Sequence, residues 1–177
     1  QNIARFYSED NGANGSKPED IAESIYSQFD QRADGPVRAM FIGSGKIIQS
    51  ETVKVGTHYR LYCAALVKIN DGTNTNFVLY SDDFGGTWKV LGGVHVSPVP
   101  SGADEPKVEE LPDGSILISS RVTGGRWFNI YNFTNSETAE GYWNTVKQSN
   151  NGNNGVVAVS NSTNGEVMVV PVTRKAD

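Results

Sequence analysis

The chain has 177 residues, enough for a domain with a real core, and a formal charge of −5 with no run of Lys or Arg. That balance argues against a nucleic-acid partner, and no apolar run is long enough to span a bilayer. The 19 glycines and 37% hydrophobic content suit many short strands joined by tight turns.

Gln1 opens directly into mature-type sequence, so no signal peptide is expected within the chain. Residues 3–7 read as a strand running into the polar turn Ser8-Glu9-Asp10-Asn11-Gly12-Ala13-Asn14-Gly15. Ser16-Lys17-Pro18-Glu19 has the form of a capping box. Ile21, Ile25 and Phe29 then recur at i, i+4 and i+8, which predicts one short helix with a buried face. Strand patterns follow at 38–42, 46–52, 59–69, 76–80 and 88–94. After a linker of Pro, Ser and Gly they resume at 106–111, 115–122, 127–133, 142–147, 156–160 and 166–173. Asn70-Asp71-Gly72, Pro112-Asp113-Gly114 and Asn164-Gly165 supply hairpin turns between them. Cys63, the only cysteine, excludes an internal disulfide and a Cys-based zinc site, and it falls in an apolar strand as a core residue.

The stretch Ser81-Asp82-Asp83-Phe84-Gly85-Gly86-Thr87-Trp88 organises the chain. Gly85 and Gly86 tolerate positive φ, and the Asp83 carboxylate with the Ser81 and Thr87 hydroxyls can bond turn backbone groups. Trp88 can cover the turn with its ring. The motif is therefore a self-stabilised hairpin with a structural task. Residues 8–15 repeat it in degenerate form, with Gly15 in the tryptophan place.

Four strands with such a turn between the third and fourth is the logic of a β-propeller blade. On that count the chain is all-β, with about two complete four-stranded blades plus two partial ones. Residues 1–37 hold the end of one blade plus the helix, 38–96 a blade with the full turn motif, 97–148 a blade, and 149–177 the start of the next. Closure needs at least about four blades, so the chain reads as an internal fragment of one propeller domain, completed by the missing blades of the same polypeptide.

The stretch with the most chemistry runs from Asp104 to Arg121. Glu105 opens one strand and Arg121 ends the next, so an antiparallel hairpin brings them to one end. A surface ion pair would use the same two residues. Asp104-Glu105-Pro106-Lys107-Val108-Glu109-Glu110-Leu111-Pro112-Asp113-Gly114, the later Ser119-Ser120-Arg121, the Ser81–Trp88 turn and Phe41-Ile42-Gly43-Ser44-Gly45-Lys46 form an ordered set. That set resembles the bacterial exo-α-sialidases, six-bladed propellers whose recurrent turn is the Asp box (Ser81, Asp83, Gly85, Thr87 and Trp88 here).

The resemblance implies retaining hydrolysis of terminal sialic acids from glycoconjugates, by a secreted or periplasmic bacterial protein. Glu105 matches the glutamate that serves a tyrosine nucleophile. A free phenol has a pKa near 10, so a base must take its proton during attack. Arg121 matches the second of three arginines that clamp the substrate carboxylate, a task for a planar fork of donors. The other two arginines, the acid/base aspartate and the nucleophilic tyrosine have no counterpart here, so the chain alone is expected to be inactive. By the same resemblance Gln49 lines the pocket; the alternative is a strand residue bonded to backbone. Arg126 would approach the substrate, or else be a solvated loop arginine. No metal or organic cofactor is implied, and His58 and His95 stand isolated. Two rivals remain in view, a non-catalytic sialic-acid-binding module and a purely structural propeller module.

Overall fold

The computed structural model describes residues 3–43, 45–123, 125–150 and 165–174. Strand β1 (Ala4–Arg5) pairs with β2 (Glu19–Asp20). In the turn between them, Ser8 Oγ donates to Asp10 Oδ1 (2.7 Å) and accepts the Gly12 N–H (2.8 Å). The Asn14 N–H donates to Asp10 Oδ1 at 2.8 Å.

The predicted capping box does not open the helix. Ser16 Oγ accepts the Tyr7 N–H and donates to the Lys17 carbonyl, while Glu19 lies in a strand. Pairing with β1 wins here, because it gives Glu19 both a ladder position opposite Arg5 and an ion pair with it at 2.5 Å. Helix α1 (Ala22–Tyr26) starts later, where Asp20 Oδ1 accepts the Ala22 N–H, and it runs into a 3₁₀ turn, Ser27–Phe29. The predicted apolar face holds. Ile25 and Phe29 are buried against Met40, Cys63, Phe77, Leu79 and Trp88.

The first five-stranded sheet comprises β3 (Ala39–Ile42), β4 (Ile48–Val55), β5 (His58–Lys68), β6 (Asn74–Ser81) and β7 (Lys89–Val90). β3 and β4 pair with different stretches of β5, so they act as one interrupted outer strand. Side chains alternate across the pleat. Cys63, Ala65, Phe77 and Leu79 face the helix, whereas Tyr62, Ala64, Val78 and Tyr80 face the second sheet. Burial on both sides explains why the central strands read as continuous apolar runs.

The second sheet comprises β8 (Asp104–Glu110), β9 (Ile116–Val122), β10 (Gly125–Asn135), β11 (Glu140–Trp143) and β12 (Lys147–Asn150). β11 and β12 pair with separate halves of β10 and again form one interrupted outer strand. Val108, Ile116, Ile118, Val122 and Tyr131 pack against the first sheet. Each larger sheet therefore has four strand positions, with the Ser81–Trp88 turn between the third and fourth of the first. The predicted strand at 166–173 is not formed: no strand occurs among residues 165–174. A strand needs a partner ladder, and none of the described strands pairs with this segment. The predicted strand at 156–160 lies outside the described residues.

Candidate active site

The site lies where β8 begins, β9 ends and β10 begins. Register places Asp104 opposite Arg121, and Arg121 opposite Arg126. A shift in register between Asp104 and Pro106 makes Glu105 the extra residue of a bulge. The bulge turns Glu105 toward its neighbour strand, where its Oε2 lies 3.0 Å from Arg121 Nε. Arg121 Nη2 donates to Asp104 Oδ2. Among the described residues no donor is aimed along a hydrogen-bond direction at Glu105 Oε2, so the guanidinium faces it as a charge rather than as a bonded donor.

Lys107 pairs with Ser119, and both share a face with Arg121 and Arg126. Arg126 is 6% exposed, and it donates through Nε to Ser119 Oγ (2.7 Å) and through Nη2 to the Ser119 carbonyl (3.1 Å). Burial pushes its guanidinium below the ordinary value; Glu166 opposes that, Arg121 adds to it, and Glu105 opposes it again. Burial also pushes the Asp104 carboxyl up, but the Glu105 backbone N–H and Arg121 outweigh it and hold the group below the usual carboxylate range. Asp104, Glu105 and Arg121 have side chains 28–31% exposed, although the Glu105 Oε2 atom that faces Arg121 is itself buried. The arrangement offers a planar donor fork beside a carboxylate that can take a proton from a hydroxyl brought within about 3 Å. Among the described residues no group of three or more His, Cys, Asp or Glu side chains is arranged to hold a metal ion.

No protein-family model and no curated protein matches this sequence. Solved structures do. The Hadza microbial sialidase Hz136 superposes with a TM-score of 0.60 at 18% identity, over 88% of this chain and 25% of that one. Trypanosoma rangeli sialidase with 2,3-difluorosialic acid, titled a covalent intermediate, matches with a TM-score of 0.54 at 20% identity, over 80% of this chain and 20% of that one. The same enzyme with the inhibitor DANA gives 0.56 at 20% identity, over 80% and 21%. The chain has a sialidase-like propeller fold. It spans a quarter or less of the length of these sialidases.

Within the sialidase-like fold, Glu105, Arg121 and Arg126 come together, but Gln49 does not join them. Gln49 is exposed on β4 and lines a separate cavity of about 320 Å³ with Glu51, Glu109, Glu110 and Pro112. That cavity lies at the far end of β8, roughly 16 Å from Glu105 at the rise of a strand. Arg126 is no solvated loop residue, since β10 holds it in the sheet. In the Ser81–Trp88 turn, Ser81 Oγ donates to Asp83 Oδ1 (2.8 Å) and accepts the Gly85 N–H (2.8 Å). The Thr87 N–H and Oγ1 both donate to Asp83 at 2.8 Å, Gly85 has φ +82°, and Trp88 is buried. The turn belongs to the scaffold and forms no part of the cluster. Sequence reasoning missed Asp104, Lys107 and Glu166. The Asp104-Glu105 tandem was the one available signal, because a bulge at a strand start delivers both carboxylates to the same neighbour.

Proposed function

We propose that these residues form part of an exo-α-sialidase that removes terminal sialic acids from glycoconjugates with retention of configuration. The observation that carries this reading is the contact of Glu105 with Arg121 at the open end of β8 and β9, in a sialidase-like fold. In this reading Arg121 binds the substrate carboxylate bidentately. Glu105 takes the proton of a tyrosine hydroxyl supplied by the rest of the polypeptide as the phenolic oxygen bonds to the anomeric carbon. An aspartic acid, also from outside this chain, protonates the departing glycosidic oxygen, and water then releases the sugar. A tyrosine suits this substrate because a carboxylate nucleophile would be repelled by the carboxylate at the reacting carbon. The Ser81–Trp88 turn acts as an Asp box, the chain supplies one part of a secreted or periplasmic bacterial propeller, and sialylated glycans are its ligands.

Replacement Glu105→Ala in the intact polypeptide, which would supply the tyrosine and the aspartic acid, tests the assignment. Turnover of an aryl sialoside should fall by at least about 10³-fold, with thermal unfolding little changed. Retained turnover removes Glu105 from the chemistry. A second reading, a non-catalytic or structural module, draws on the engagement of Arg121 by Asp104 and Glu105 within its own sheet. A non-catalytic binder requires that Glu105→Ala leave sialoside binding intact in a protein without turnover, and a structural module requires that neither form bind a sialoside.

A further inference from the structure

A guanidinium has a side edge, Nε with Nη2, that fits a single carboxylate as a fork. Three arginines of this chain use it that way. Arg5 places both nitrogens on Glu19, Arg32 places them on Asp34, and Arg60 places them on Asp82. Arg121 divides the same edge between two residues. Its Nε faces Glu105 Oε2 at 3.0 Å, while its Nη2 donates to Asp104 Oδ2. Asp104 also holds the backbone of the bulge, because its Oδ1 accepts the Glu105 N–H at 2.9 Å. One carboxylate therefore fixes the bulge that presents Glu105 and occupies the nitrogen that would complete a fork on Glu105.

Resting on the sialidase reading above, we propose that Asp104 is a positioning residue that keeps Glu105 competent as a base. By taking Nη2 it stops Arg121 from gripping Glu105 with both nitrogens. A carboxylate gripped in that way is a poorer proton acceptor, because the paired guanidinium favours its charged form. With the edge divided, Nε still orients Glu105 by charge, and no donor among the described residues is bonded to Glu105 Oε2. Asp104 touches neither the sugar nor the nucleophile in this scheme. It acts through Arg121 and Glu105.

Kinetics and structure of the intact polypeptide test the idea by separate routes. Asp104→Ala should lower kcat for an aryl sialoside by at least about tenfold. KM should change by less than about threefold, because a carboxylate fills the side edge of Arg121 in either form. Asp104→Asn keeps one oxygen acceptor, so its kcat should recover to within about threefold of the parent. A merely structural residue would lower the melting temperature in both variants and leave kcat of the folded enzyme alone. A kcat in Asp104→Ala equal to that of the parent overturns the proposal, and so does a loss confined to KM. The crystal structure of Asp104→Ala needs no turnover. In it Arg121 Nε and Nη2 should both lie within about 3.2 Å of the Glu105 carboxylate, and an Nη2 that stays away from Glu105 overturns the proposal. A parent without turnover would defeat the sialidase reading, and the structure would still decide this one. Should Asp104→Ala fail to fold, Asp104→Ser, whose shorter side chain cannot span to Nη2, takes its place with the same expectations.

Discussion

Arg121 shows at the residue scale why side-chain shape matters as much as charge. Its guanidinium meets Asp104 and Glu105 with different nitrogens, a geometry that a planar fork of donors allows and a point charge does not. On the sialidase reading proposed above, Arg121→Lys should raise the KM for a sialoside by at least about tenfold, with a smaller change in kcat, because a point charge cannot hold a carboxylate bidentately. Steady-state kinetics settle the matter, and an unchanged KM would refute the carboxylate clamp. Cys63 gives a cleaner case, since burial alone pushes its thiol up to about 12. It should resist a thiol reagent at pH 8 in the folded protein and react at once in denaturant; rapid labelling of the native protein would contradict its place in the core. The Glu105–Arg121 pairing was legible because hairpin register follows from the Pro112-Asp113-Gly114 turn. Asp104 left only the tandem with Glu105 as a signal, and Glu166 left none. A bulge leaves no mark in hydrophobic alternation, and Glu166 arrives along a segment with no local pattern tying it to β8.

The two polar turns provide a comparison at the scale of the element. Residues 8–14 and 81–87 make matching hydrogen bonds, with Asn14 doing for Asp10 what Thr87 does for Asp83. Phe84 and Asn11 take the same left-handed conformation, at φ +58° and +56°. The difference is the ring of Trp88, buried over the later turn. Asp83→Ala should therefore destabilise the protein by about 1–2 kcal/mol in urea denaturation, and Asp10→Ala by less. Burial pushes the Asp83 carboxyl up, but bonds from Thr87 and Ser81 prevail and hold it below its ordinary value. A depressed folded value means that the stabilisation is present above about pH 4 and disappears as pH falls through the folded value. The stability gap between the parent and Asp83→Asn should accordingly narrow between pH 7 and pH 3. A constant gap would show that hydrogen-bond geometry alone, without the charge, sustains the turn. Turns of this kind were legible because their residues bond to themselves. The capping box at Ser16 was misread for the opposite reason: its bonds depended on whether β1 would claim Glu19, which no local rule reveals. The strand expected at 166–173 failed likewise, since alternation describes a face and says nothing of the partner that must cover it.

For the molecule as a whole, the question is what locks two four-position sheets against each other. Apolar contact supplies most of it, through Tyr62, Val78 and Tyr80 on one side and Val108, Ile118 and Tyr131 on the other. Burial of the first sheet's central strands was foreseeable from their continuous apolar runs. The polar tie across the interface was not. Arg60 on β5 has a fully buried side chain, and it grips Asp82 through Nε (2.6 Å) and Nη2 (3.0 Å). It also donates to the carbonyls of Ser136 (2.6 Å) and Glu137 (2.9 Å) in the second sheet's last hairpin, and its guanidinium lies 4.8 Å from the Tyr80 ring centroid. A second polar tie lies at the far end of β8, where Glu110 accepts from Ser50 Oγ (2.6 Å), the Glu51 N–H (2.6 Å) and Thr52 Oγ1 (2.7 Å) of β4. Removing Arg60 would strand two carbonyls and Asp82, which is only a quarter exposed. Arg60→Ala should therefore cost about 3 kcal/mol, below the upper range for a broken buried pair because Asp82 keeps some water. Arg5→Ala is the control, because its ion pair with Glu19 lies at the surface and should be worth no more than about 1 kcal/mol. Urea titration of both variants decides between the two effects. A loss at Arg60 no larger than that at Arg5 would mean that apolar packing and the Glu110 bonds hold the sheets without it, and the bonds to Ser136 and Glu137 would then be a consequence of the packing rather than a cause.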